Sequence, residues 1–111
     1  MIRYLPLIKE AAPYRQSVRI EGQTFAFYLQ YNAEEDFFTV DLYRGDEVLA
    51  YGEKLVFGRP LFAAYADERF PKAALVPLDF SGRADAVTWE TLGKSVLVYI
   101  VSLEVLASVR A

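Results

Sequence analysis

Cysteine and histidine are both absent from the 111 residues. Without cysteine there is no disulfide, no thiol nucleophile and no zinc–thiolate site. Without histidine the chain lacks the commonest general base and the commonest metal ligand. Positive charge is also scarce: 12 Lys and Arg stand against 15 Asp and Glu, for a net charge of -3. Nucleic-acid binding rests on clustered Lys and Arg facing phosphate, so this balance argues against a nucleic-acid partner. Long apolar runs are missing too. The longest, residues 96–107, is interrupted by Ser102 and Glu104 and falls well short of the ~20 residues that span a bilayer. The N-terminal run is short and interrupted, and no small-residue cleavage site follows it. The chain therefore reads as soluble, made in a cytoplasm, with no membrane partner.

Catalytic motifs are missing as well. Ser17, Ser81, Ser95, Ser102 and Ser108 lie in no G-x-S-x-G elbow and in no S-x-x-K pair. The glycines form neither G-x-G-x-x-G nor a phosphate loop. Glu34, Glu35 and Asp36, with Asp41 nearby, make an acidic cluster, but calcium loops need oxygens at fixed positions that this cluster does not supply. Asp41 and Asp46 are the nearest thing to an acid/base pair, and no further residues support them. Arg44-Gly45-Asp46 spells the integrin-binding tripeptide; its position between two apolar runs reads instead as a hairpin turn. No catalytic residue, cofactor or metal ligand is expected.

What the chain does have is apolar and aromatic content. Hydrophobic residues make up 54% and charged residues 24%, which excludes disorder. Eight Tyr, eight Phe and one Trp are arranged mostly in alternation. Phe25, Phe27, Leu29 and Tyr31 share one strand face. Phe38, Val40 and Leu42 share another, across a polar loop at residues 32–36. Glu21-Gly22 and Arg44-Gly45-Asp46 are turn signals. Gly52 marks a bulge or a second turn. Strands are expected near residues 17–21, 24–31, 37–43, 47–51, 54–57, 74–80 and 95–101. Pro77 lacks an N–H, which puts its strand at an edge or at a bulge. Residues 61–66 read as one or two helical turns or an irregular excursion. Residues 88–93 read as one helical turn, capped by Thr88 and stopped by Gly93.

This spacing predicts an all-β fold: a small antiparallel β-barrel or sandwich of about seven strands with one or two short helical turns. One domain is expected over residues 1–111, with an extended N-terminal arm at 1–16 and a C-terminal extension at 102–111. Several strands are apolar on both faces, so some apolar surface is left for a partner. Tyr28 and Tyr43 lie opposite core-facing residues. Tyr99, Val101, Leu103, Val105, Leu106 and Val109 prolong the last apolar segment. These eight form the expected partner-binding set. Two other functions remain open on the residues alone. One is a small-ligand-binding β-barrel carrier, which needs a cavity of about 300 Å³ or more. The other is a small enzyme with an unusual Asp/Lys/Tyr site, which needs a pocket of convergent titratable groups.

The order of elements resembles the baseplate plug proteins of tailed bacteriophages and prophages. Gly22-Gln23-Thr24-Phe25 opens a long strand ending at Tyr31-Asn32. Phe37-Phe38-Thr39-Val40-Asp41-Leu42-Tyr43 follows, with Asp46 in the next turn. Val48-Leu49, Gly52, residues 55–58, Leu61 and Leu92-Gly93 continue the pattern, and Leu5-Pro6-Leu7 fits its start. The resemblance covers roughly residues 2–101. It implies a virion structural protein of the tail baseplate, synthesised in the bacterial host cytoplasm. Its implied partners are baseplate hub or tube-end proteins or a second copy of the chain, with no catalysis and no cofactor.

Overall fold

Two tight turns set the register of the larger sheet. Glu21 and Gly22 both have positive φ, 48° and 81°, which is the requirement of a type I′ hairpin turn. They join β2 (Tyr14–Ile20) to β3 (Gln23–Asn32), with Ile20 opposite Gln23. Gly45, at φ 62°, is the first central residue of the turn between β4 (Phe37–Arg44) and β5 (Glu47–Lys54). Between these turns, Asn32 Oδ1 accepts the N–H groups of Glu34 and Glu35, both at 3.1 Å, and closes the β3–β4 loop. The result is an antiparallel meander in the order β2-β3-β4-β5.

These features belong to a computed structural model that describes residues 3–65 and 67–103. The second sheet has three strands in the order β1-β7-β6: β1 is Arg3–Tyr4, β6 is Ala73–Leu78 and β7 is Leu97–Ser102. Among the described residues, seven strands make two antiparallel sheets that pack as a sandwich and do not close into a barrel. A carrier of the barrel type would need that closure. The stretch expected as an arm carries β1, a 3-10 turn at Lys9–Ala11 and the first residues of β2. Val105, Leu106 and Val109 lie outside the described residues.

The core sits where the sequence alternation predicts it. Phe25, Phe27, Leu29, Phe38, Val40 and Leu42 are all 0–1% exposed. They pack in one cluster with Leu75 and Val98 from the other sheet, with Val96 just before β7, and with Leu5, Leu55 and Leu61. Pro77 falls on the edge strand β6, as its missing N–H requires. The edge is covered: Gly58 N–H donates to Pro77 O and Leu61 N–H to Leu75 O, both at 2.8 Å.

Two local expectations are corrected, and a third is resolved between its alternatives. Residues 47–51 and 54–57 are not two strands, because β5 runs unbroken to Lys54. Gly52, at φ 64°, makes a bulge: Val40 faces Glu53 while Leu42 faces Ala50, so two β5 residues stand opposite Asp41. Asp41 Oδ1 fastens the bulge by accepting Gly52 N–H at 2.7 Å. Residues 61–65 form irregular turns, with Phe62 at φ 60° and its N–H held by Glu53 Oε2 at 2.9 Å. In the 88–93 turn, Leu92 N–H bonds to Thr88 O at 3.0 Å, but the side chain that closes it is Thr91, whose hydroxyl accepts Thr88 N–H at 2.8 Å.

The Arg44-Gly45-Asp46 tripeptide is this two-residue hairpin turn, and Asp46 is exposed. Asp46→Ala is expected to change stability by less than about 0.5 kcal/mol in urea denaturation. A loss above about 1 kcal/mol would show that the turn depends on that carboxylate.

Candidate interaction surfaces

The expected partner-binding residues divide between opposite sides of the sandwich. Val98 and Ile100 of β7 point inward to the core, so Leu97, Tyr99 and Val101 face outward. Leu103 follows the end of β7 and is exposed. Tyr28 and Tyr43 lie on the outer face of the four-stranded sheet, across from Arg15 and Val48 respectively.

The outward positions of the three-stranded sheet are apolar from edge to edge, with Ala74 and Val76 buried and Leu78, Leu97, Tyr99 and Val101 half-buried. Across it, Ala74 pairs with Val101, Val76 with Tyr99, and Leu78 with Leu97. Tyr99 is flanked by two aromatic rings, Phe80 at 4.5 Å and Tyr4 at 6.4 Å between centroids. Tyr4 is 50% exposed and Phe80 65%. Neither was singled out by the sequence. Tyr4 precedes any readable alternation, and Phe80 follows the end of β6.

The outer face of the four-stranded sheet is mixed instead. Arg15, Ser17 and Arg19 of β2 and Thr24, Gln30, Thr39 and Asp41 of β3 and β4 intersperse its tyrosines. Tyr43 lies under the Arg15 guanidinium, 4.7 Å from ring centroid to Cζ, and Arg15 donates to Gly45 O at 3.2 Å. Tyr43 is therefore engaged within the chain. Tyr28 is half-buried and forms one wall of a surface groove of about 680 Å³, with Ala12, Pro13, Gln30, Tyr31 and Trp89.

Asp36 builds that end of the molecule. Its Oδ1 accepts the Tyr31 hydroxyl at 2.7 Å and the Trp89 N–H at 2.9 Å, drawing the 88–93 turn onto the β3–β4 hairpin. Trp89 then stacks near Phe38, at 6.1 Å and 13°, and meets Tyr31 at 5.0 Å. Lys9 lies over the other part of this assembly, its Nζ 5.0 Å from the Trp89 ring centroid and bonded to Trp89 O. The Trp89 N–H and then the Tyr31 hydroxyl favour the charged carboxylate, so the Asp36 pKa is lowered, and the Tyr31 pKa is raised.

Asp79 anchors another loop in the same manner. It accepts the Ser81 hydroxyl and the N–H groups of Ser81, Arg83 and Ala84. The Ser81 hydroxyl leads in bringing its pKa down from 3.8 to about 2. A carboxylate whose folded pKa is depressed stabilises the fold above its unfolded pKa, and that contribution is lost as pH falls through the folded value. Stability is thus expected to decline between pH 3.8 and about 2. Asp79→Asn should flatten part of that decline in urea midpoints measured across the window. An unchanged acid limb would contradict the assignment.

The acidic cluster has separate structural duties. Asp36 holds Trp89, Asp41 holds the bulge, and the N–H groups of Glu34 and Glu35 close the loop. Among the described residues, no group of three or more acidic side chains is arranged to hold a metal ion.

Fold and surfaces together define a small two-sheet β domain whose distinctive feature is an apolar outer face. A family model described as "Cyanophage baseplate Pam3 plug gp18" matches residues 2–104. The chain belongs to this family of phage baseplate plug proteins. No curated protein matches it.

Proposed function

We propose that this chain is a structural subunit of a tail baseplate, docked at the hub or the tube end and acting through protein–protein contacts without catalysis. The family match over residues 2–104 carries the reading. The aromatic patch of exposed Tyr4 and Phe80 flanking the half-buried Tyr99 supports it, since large apolar side chains grouped at a surface mark contact sites. Tyr99, Val101 and Leu103 belong to that contact, with Tyr4 and Phe80 extending it. The protein is synthesised in the host cytoplasm and retained in the finished tail. The test is deletion of the gene from the phage or prophage that carries it. Particles should then lack a normal baseplate and lose infectivity, and the intact gene should restore both. Fully infectious particles with normal baseplates after deletion would overturn the proposal.

A further inference from the structure

Strand β3 outruns its neighbour. Ile20 and Gln23 flank a two-residue turn and exchange both backbone hydrogen bonds. Alternation from that point gives the N–H and C=O groups of Gln23, Phe25, Phe27 and Leu29 to β2, and those of the even-numbered residues to β4. The next residue in the β2-facing series is Tyr31. β2 begins at Tyr14, opposite Leu29, so nothing in β2 reaches Tyr31. Ala12, which would face it, donates its N–H to Lys9 O at 3.2 Å instead. Among the described residues no group bonds to the Tyr31 N–H or C=O. Tyr31 lines the groove of about 680 Å³ together with Tyr28, Trp89 and Pro13.

A paired backbone donor and acceptor at a strand edge match one chemistry closely: another extended polypeptide. Rings on either side supply apolar contact for its side chains. The charge around the groove selects further. Glu34 and Glu35 stand just beyond Asn32, Glu10 beside Lys9, and Glu90 beside Trp89, all exposed. The cations nearby offset this only in part. Lys9 is buried against Trp89, and Arg15 is drawn away to Tyr43 and Gly45. Three cations at this end are exposed, and each is engaged: Arg15 at Tyr43 and Gly45, Lys54 over the Phe37 ring, and Lys94 3.9 Å from Glu90. We propose that this groove binds an extended, basic peptide segment of a partner protein, which adds to β3 at Tyr31 as a short strand. The inference rests on the edge geometry and does not depend on the baseplate reading.

The test is an NMR titration of the full chain with an octapeptide alternating lysine and valine. Saturable shifts are expected at the Tyr31 amide and the Trp89 indole. The peptide alternating glutamate and valine should bind at least about tenfold more weakly. N-methylation of one alternate set of peptide amides should abolish binding, while methylation of the other set leaves it within about twofold, because a strand presents alternate N–H groups to each edge. Tyr28→Ala and the double variant Glu34→Lys, Glu35→Lys change exposed or half-exposed positions, and each should weaken binding about tenfold with the fold intact. Equal binding of both peptides, or insensitivity to either methylation pattern, would overturn the proposal. So would a neutral oligosaccharide shifting the same signals while the peptide does not.

Discussion

Phe27→Ala and Phe38→Ala are each expected to lower the free energy of unfolding by about 3–5 kcal/mol. Both rings are 0% exposed and come from adjacent strands of the larger sheet. Removing either one takes away its transfer free energy and leaves a cavity that sheet residues on both sides cannot fill without breaking register. Phe38 also supports Tyr31, 4.7 Å away, and through it the Trp89 end of the molecule. Small domains are held by only about 5–15 kcal/mol, so either variant should be close to unfolding at physiological temperature. Urea denaturation with an unchanged slope reads the effect directly. A loss below about 1 kcal/mol for Phe27→Ala would mean that the two sheets do not share the core described above.

The double variant Tyr4→Glu, Phe80→Glu should separate assembly from stability. Both side chains are at least half exposed, at 50% and 65%, so their replacement should change stability by less than about 1 kcal/mol. Two charges placed beside Tyr99 would have to be desolvated in any apolar contact, which costs several kcal/mol when no partner charge meets them. Incorporation into tail particles should therefore fall by more than about tenfold while the isolated protein remains folded. Normal incorporation of the folded double variant would remove the three-stranded face from the docking account.

The parts of this fold that sequence could reveal are those built from local rules. The β3–β4 hairpin was legible because alternation continues over both strands and the loop between them is polar. Pro77 announced an edge strand because a missing N–H cannot serve the middle of a sheet. Gly52 announced an irregularity, but not which kind. Reading it as a break splits β5 in two, whereas the Asp41 carboxylate holds it as a bulge inside one strand. At the N-terminus the short strand segments leave no readable signal. Arg3–Tyr4 is too short to show a period, and Gln16, at an inward position near the start of β2, interrupts the apolar series there.

Candidate surfaces follow the same division. Tyr99 and Val101 could be found because β7 is apolar on both faces, and one sheet can bury only one of them. Tyr4 and Phe80 could not, since each reaches Tyr99 only through the pairing of β1 and β6 with β7. The groove at Tyr31 was hidden for a similar reason. It depends on where β2 starts, and on Asp36 holding a tryptophan 53 residues away. Tyr43 illustrates the converse: it faces outward as expected, yet the Arg15 guanidinium already covers its ring.

The central claim is that this chain is a resident component of a tail baseplate. A cryo-electron-microscopy reconstruction of purified tails from the phage or prophage that encodes it tests this most directly. The account predicts density for the two-sheet domain at the hub or tube end, with the outer face bearing Tyr4, Phe80 and Tyr99 buried against a neighbouring subunit. Tails with complete baseplates and no density or peptide signal for this chain would contradict it.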